Sequence, residues 1–459
     1  QYLVQKDLFT DVELTTEGRR QNLHFTASHP GKEWIVDIQI TAEENIQVDM
    51  TPMGGAVPDE VLSQIKEDLI LAVQLFEEKV RKTTLYFAWV PEEEIEAEKI
   101  MERRKNIIYR IFTDSMHIFF IISIAISIIF FIISIAISIL FFIFLGLYAP
   151  VAIVAIQFIL ILFSDRLILR IGDWRITEKN PKVHLFQHHL PIEEYKDFQD
   201  RYSSERLTEI KSEIYEKTLA VGKTIDCETT AEVLSRHGFE CIPENMTTKI
   251  VNVYQIVKNA AGKFGLPVPK IVLANNILPN AAASGPGPSR GVILITTGLL
   301  VQLEEDEILN VVGHELSHLK GRDPIVLFGL SAAEYLIRFY VFLNLFLSSF
   351  LFGYLYLFFA LTGVFFIAKF FEGRADLEAA AKMGQPKVLA EALRKIGFRR
   401  LQLQRKPAYK FQGWIKWDPH PPIYFRIARL EGLEDLEKVK HPLIKSAQDN
   451  IRALIEALS

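Results

Sequence analysis

The chain has 459 residues, with 51 basic against 56 acidic side chains and a formal net charge of -5. That balance excludes a basic nucleic-acid binder, and the length asks for two or three compact units. Apolar residues make up 49% and charged residues 23%, which excludes wholesale disorder, while two cysteines, Cys227 and Cys241, are too few for a disulfide framework or a thiolate-only zinc site.

Residues 1–95 read as an α+β domain of unassigned role. The alternation in Trp34–Ile40 predicts a half-exposed strand. Residues 59–82 predict a helix with Val61, Leu62, Ile65, Leu69, Val73 and Phe76 on one side, and Thr84–Val90 returns as a strand. A charged helix over 96–115 leads to the first apolar region.

Asp114 and Asp165 then bracket 50 residues without Asp, Glu, Lys or Arg. A membrane span needs about 20 apolar residues, so 116–164 is long enough for a hairpin of spans near 116–144 and 149–164. Gly146 and Pro150 fall at the turn. The octet Ile-Ile-Ser-Ile-Ala-Ile-Ser-Ile occurs at 121–128 and 132–139, and its serines form one small-polar face suited to helix contact in lipid. Residues 166–250 read as a helical connector, with His184, His188 and His189 in a solvated loop.

Residues 251–323 read helix, strand, strand, helix, the last around 304–320. That helix carries Val311-Val312-Gly313-His314-Glu315-Leu316-Ser317-His318. Two histidines four apart share one helix face, so both rings reach one Zn2+ while Glu315 is placed to take a proton from its water. Chance would produce such a motif in a chain of this composition only about 0.02 times. Acidic residues 304–307 suit the helix start and Gly321 its end.

A second hairpin follows over 324–371, with spans near 324–347 and 352–371; Glu334 and Arg338 sit four apart in the first, as an ion pair would. The remainder, 372–459, is a helical tail whose stretch 394–410 holds seven basic residues and no acidic one. Lys and Arg flank the outer ends of all four spans, which places every water-soluble segment on the cytoplasmic side.

A catalytic zinc needs a third protein ligand. Glu372-Gly373-Arg374-Ala375-Asp376 begins where the fourth span ends, on the same side of the membrane as His314 because two spans lie between. Glu372 can ligate, and Asp376, one turn on, can accept the ring N–H of a ligating histidine. Glu378 and His420 are the other candidates for the third ligand.

Together these residues bring a family into view. The chain resembles, over about 250–431, the HtpX-like zinc metalloproteases, relatives of the CAAX prenyl proteases. The pair of motifs His314-Glu315-x-x-His318 and Glu372-x-x-Ala375-Asp376, with two spans between, is similar to the family's signature. The resemblance implies His314, His318 and Glu372 as ligands of one Zn2+ per chain, Glu315 as general base and Asp376 as support. Asn280-Ala281-Ala282-Ala283 is similar to the family's substrate-binding edge strand, with Ala282 in place of an aromatic. His420-Pro421 followed by Arg426-Ile427 is similar to a further family segment, which implies that His420 and Arg426 lie at the catalytic centre.

The expected fold is therefore an α-helical membrane protein with four transmembrane helices, a zincin-like α+β metalloprotease domain split between 251–323 and 372–459, and an N-terminal α+β domain. The resemblance implies a multi-pass endopeptidase of a prokaryotic cytoplasmic membrane, its site facing the cytoplasm, that cleaves misfolded or membrane proteins in quality control. A CAAX-type protease, a non-catalytic zinc-holding scaffold and a zinc transporter are the rivals. Nucleic acid is not an expected partner, and oligomeric state is open.

Overall fold

The computed structural model describes residues 9–17, 20–28, 34–42, 46–54, 57–82, 84–91, 136–190, 204–342, 349–404, 407–434 and 439–458. The expected charged helix at 96–115 lies outside these residues. The chain divides into two compact units, Gln1–Thr84 and Leu85–Ser459.

The first unit holds an antiparallel sheet of four strands in chain order: β1 (Phe9–Glu17), β2 (Arg20–Ser28), β3 (Trp34–Ala42) and β4 (Ile46–Gly54). The helix α1 (Asp59–Lys82) follows. Alternate strand residues Phe25, Ala27, Val36 and Ile38 bury against Ile65 and Leu69 of α1, as period-two and helical patterns require.

The second unit begins with β5 (Thr84–Trp89). This strand, read from sequence as part of the N-terminal domain, instead neighbours a strand of the connector in a separate three-stranded sheet. Its Leu85 and Phe87 bury among Phe186, Leu190 and Ile210 of that region. Next comes a 27-residue apolar helical stretch, Ala136–Leu162. It is interrupted by a 3-10 turn at Gly146–Tyr148, with Gly146 left-handed at φ 53° where the sequence put its turn, and continues as α2 (Ala149–Leu162). The expected first span, near 116–144, lies mostly outside the described residues.

The connector then departs from the helical expectation. It contains α3 (Ser164–Ile171), β6 (Trp174–Ile176), β7 (Lys182–His189), α4 (Ser204–Lys217), α5 (Cys227–Arg236) and β8 (Met246–Asn252). Here β7 pairs with β8, completing the sheet β5-β7-β8, and β6 joins a different sheet. His184, His188 and His189 lie on β7 rather than in a solvated loop, and His188 is 2% exposed. Val183 and Leu185, alternating with polar residues, pull the strand into the core. Cys227 and Cys241 form a single disulfide that ties the start of α5 to the segment before β8.

The remaining elements carry the site. They are α6 (Val253–Phe264), β9 (Lys270–Ala274), β10 (Ala281–Ser284), β11 (Val292–Thr296), α7 (Thr297–Gln302), α8 (Glu305–Gly321) and α9 (Asp323–Tyr340). After them run α10 (Phe350–Met383), α11 (Pro386–Gln404), α12 (Pro407–Ile415), α13 (Ile423–Glu431) and α14 (Pro442–Leu458). The second sheet has the order β10-β11-β9-β6, so β10 is an edge strand. Its neighbour β11 is antiparallel to β10 and parallel to β9, the chain reaching it from β9 by way of the edge strand β10.

Among the described residues two helices are long and apolar enough to cross a membrane, Ala136–Leu162 and Leu351–Met383. The latter belongs to α10, which does not stop at residue 371 but runs on through Glu372 and Asp376 as one helix. In α9 the Arg338 guanidinium donates to Glu334 at 2.9 Å, within one turn.

Candidate metal centre

Helix α8 is built to present one polar face. Its start is closed by a capping box in which Glu304 N donates to Glu307 Oε2 at 2.8 Å, and three acidic residues fill the first turn. Ile308, Val312, Leu316 and Leu319 bury in the core shared with β9, β11 and α6. The opposite face carries His314, Glu315 and His318. Met383 of α10 packs against Gly313, close enough to stand 3.1 Å from an added Cβ.

The end of α8 corrects the sequence reading of Gly321. The left-handed residue is Arg322, φ 53°, and Gly321 is the last helical residue. Glycine is needed there for space, since a Cβ would stand 2.1 Å from Arg374 Nη1. The turn at Arg322 folds Asp323, first residue of α9, back onto the helix it follows.

Helix α10 supplies the other half. His314, His318 and Glu372 offer donor atoms that all lie within 4.8 Å of one another, and both histidines are largely buried. Glu372 Oε2 is 3.4 Å from His314 Nε2, Glu372 Oε1 is 3.3 Å from His318 Nε2, and the two Nε2 atoms are 3.2 Å apart. The far ring nitrogens face carboxylates: Asp376 Oδ1 is 3.0 Å from His314 Nδ1, and Asp323 Oδ2 is 2.7 Å from His318 Nδ1. That arrangement aims both Nε2 lone pairs at a common point.

These carboxylates are held in turn. Arg426 of α13 donates to both oxygens of Asp376, at 2.9 and 2.7 Å, and Arg429 adds a third bond at 3.0 Å. Arg374 Nη2 donates to Asp323 at 2.7 Å and to the Ser317 carbonyl at 3.0 Å. Asp323 and Asp376 are 2% and 0% exposed, so each negative charge depends on these partners.

Burial opposes a charged His318, but the carboxylates of Glu372 and Asp323 outweigh it and push its pKa up to about 10. His314 is also raised: burial works against the charge, and Asp376 and Glu372 more than offset it. A pocket that retains protons this firmly is built for positive charge. Glu372 Oε2 is buried without a hydrogen bond, as a metal-directed oxygen would be. Two imidazole nitrogens and a carboxylate, with a carboxylate behind each ring, form a donor set that fits a divalent zinc-like ion.

Around this cluster stand the remaining candidates. Ala283 N donates to Glu315 Oε2 at 2.8 Å, which brings the edge strand β10 to the α8 face. Asn280 lies just before that strand, and its N–H bonds Thr296 Oγ1 at 2.9 Å; Ala281 and Ala282 pair with Ile295 and Leu294. His420 Nε2 is 3.7 Å from Glu372 Oε2, its Nδ1 is 2.9 Å from Asp418 Oδ1, and its side chain is 41% exposed. Arg426 Nη1 is 3.8 Å from Glu372. Glu378 turns away from the histidine pair and accepts from Ser317 Oγ and Lys320 Nζ. The histidines of β7 do not join the cluster found among the described residues.

Sequence reasoning did not reach Asp323, Arg374 or Arg429. Asp323 had one available signal, a carboxylate five residues after the second histidine, just past a helix end. Arg374 and Arg429 had none, because their partners are set by packing between elements: α10 against α8 and the start of α9 for Arg374, and α13 against α10 for Arg429.

Residues 249–434 match the model of peptidase family M48. Over 236 residues, the chain is 30% identical to a protein named Protease HtpX homolog from Gemmatimonas aurantiaca, covering 45% of this chain and 82% of that one. A Protease HtpX homolog from Thermodesulfovibrio yellowstonii is 29% identical over 230 residues, covering 44% and 80%. Protease HtpX of Legionella pneumophila is 42% identical over a shorter 94 residues, 20% of this chain and 32% of the relative.

Proposed function

The chain belongs to peptidase family M48 as an HtpX-type metalloprotease, and from that premise we propose that it is a zinc-dependent, membrane-embedded endopeptidase. The convergence of His314, His318 and Glu372 within 4.8 Å carries the reading. These three residues would hold the ion. When bound, it would supply Lewis acidity toward a water and the scissile carbonyl.

The chain's own groups do the rest. Asp323 accepts the Nδ1 proton of His318 at 2.7 Å, and Asp376 lies 3.0 Å from His314 Nδ1, where its charge favours the tautomer that leaves Nε2 free. Arg426 and Arg429 keep Asp376 ionised and in place. With two of its N–H groups engaged by Asp376, Arg426 serves the carboxylates rather than the substrate. Glu315 takes the proton of the attacking water on its carboxylate and returns it to the leaving amine. His420, oriented by Asp418 through Nδ1, faces the cluster from its exposed side with Nε2, which in the imidazolium form can donate to the carbonyl oxygen as charge develops.

A substrate segment would add to the free edge of β10 as an extra strand. Backbone pairing with small Ala281, Ala282 and Ala283 asks only for an extended chain, which suits unfolded or misassembled polypeptides and a quality-control role. The apolar helices Ala136–Leu162 and Leu351–Met383 support a multi-pass protein whose site lies at the membrane surface. The flanking basic residues favour the cytoplasmic face.

The test is paired: zinc content and cleavage of unfolded casein by detergent-purified wild type and Glu315→Gln. The expected outcome is one zinc in both, with turnover reduced at least 100-fold in the variant. Full turnover by the variant would remove Glu315 from the mechanism, and absence of zinc from both would remove the site.

A further inference from the structure

The last helix carries an apolar stripe on the face away from its packing partner. In α14, Ser446 and Asn450 turn inward and are both 0% exposed. Asn450 Nδ2 donates to the Lys369 carbonyl at 3.2 Å, and Ser446 Oγ sits where a Cβ on Gly373 would stand, 2.1 Å away. On the outward side Ile451, Ile455 and Leu458 are exposed, the last two at 60% and 63%. Their spacing of four and three places them in one line along the helix.

The direction of packing gives this stripe a depth. As α14 advances from Ser446 to Asn450, its contact on α10 recedes from Gly373 to Lys369. The helices are therefore antiparallel, and each residue gained on one is a residue lost on the other. Ile455 is level with about Val364 and Leu458 with about Leu361, some 8 and 12 Å beyond Asn450 at a rise of about 1.5 Å per residue. That is the apolar part of α10, where Phe359 and Ile367 are themselves exposed.

A second element reaches the same depth independently. Trp417, 46% exposed, donates from Nε1 to Thr362 Oγ1 at 3.1 Å and lies with its ring 6.3 Å from that of Phe358. An indole with one bonded end and an exposed apolar body fits the boundary region of a bilayer. The charged neighbours Arg452 and Glu456 are both exposed and lie to one side of the stripe, and Arg452 has a stem long enough to return its head toward water.

We propose that α14 is seated in the bilayer, with Ile451, Ile455 and Leu458 against lipid acyl chains beside α10 and Trp417 at the same level. Asn450 and Lys369 then mark the headgroup plane. The proposal rests on α10 crossing the membrane, as read under the proposed function. The metal centre, three residues beyond Lys369 on α10, stands directly above that plane.

The experiment is nitroxide accessibility in the full chain reconstituted into phosphatidylcholine–phosphatidylglycerol vesicles. Labels are placed by Ile451→Cys, Ile455→Cys and Leu458→Cys, with Phe359→Cys reporting the α10 span and Lys223→Cys reporting water. The expected result is oxygen access exceeding that of a water-soluble nickel chelate at all three α14 positions, the ratio rising from 451 to 458. Chelate access equal to that at 223, or shielding from both reagents as under a protein partner, overturns the proposal. If 359 reads as lipid while α14 reads as water, this inference alone fails; if 359 also reads as water, the spanning of α10 fails with it. As a check that needs no label, brominated lipid should quench wild-type tryptophan fluorescence more than that of Trp417→Phe, and equal quenching counts against the bilayer seat.

Discussion

Asp323 and Asp376 perform one task from two directions. Each is buried, each faces the Nδ1 of one histidine, and each is held by arginine. A ligand ring without such support loses its preferred tautomer and part of its basicity. Asp323→Asn keeps the volume and an acceptor oxygen but removes the charge. It should weaken zinc retention about 10- to 100-fold, read by competition with a chelator, and lower the melting temperature, because Arg374 and the protonated His318 lose a buried counter-charge. His318 adds a pH dependence. Its pKa of about 10 in the metal-free chain, against the usual 6.5, means that pairing with Glu372 and Asp323 stabilises the fold fully below about pH 6.5. That stabilisation is lost as pH rises through about 10. Metal must displace this proton, so zinc uptake at pH 7 should release protons into weakly buffered solution, and apparent affinity should climb between pH 7 and 9. The residues that sequence alone exposed, His314, Glu315 and His318, lie within one turn or so of a single helix, where spacing translates into position. Arg374 and Arg429 were hidden because their roles depend on which elements pack together, and no local pattern encodes that.

On the proposed reading, the edge strand β10 is the element on which substrate binding turns. Ala283 directs its N–H to Glu315 rather than to β11, so that donor lies on the open side of the sheet. Proline is tolerated at such an outward position. Ala283→Pro should therefore leave the melting temperature within a few degrees of wild type and the zinc content intact. It should lower cleavage of extended substrates about tenfold or more, in KM through the lost edge and in kcat through the lost N–H bond to Glu315, and an unchanged KM would remove β10 from the binding surface. Elements with a clean period were legible in advance. The helix Asp59–Lys82 and the strand beginning at Trp34 stand where their apolar spacing put them. The strand Lys182–His189 was not, because its alternation is short and carries three histidines that read as solvent-facing. Pairing with β8, 50 or more residues away along the chain, decides its state, and β-propensity yields to such context.

At the scale of the whole molecule, the metal centre is assembled from two stretches of chain, α8 and the second half of α10, separated in sequence by α9 and the apolar first half of α10. Continuity through α10 is the decisive feature. Its 34 residues form one helix about 50 Å long at 1.5 Å per residue, with no break between the apolar part and Glu372. A span adjusts to the thickness of its bilayer by tilting. A rod cannot tilt at one end only, so on the proposed crossing any such adjustment would arrive at Glu372 and, through Met383 near the end of α10, at the core that holds α8. Turnover of a water-soluble unfolded substrate should accordingly vary with acyl-chain length across a phosphatidylcholine series, at constant zinc content; a flat profile would show the two ends to be mechanically independent. On this arrangement α10 is a strut. On the proposed reading, with α10 crossing the bilayer, the thickness of the surrounding membrane would bear on the registry between the two halves of the metal centre, and the lipid environment would become a tuning parameter for the enzyme.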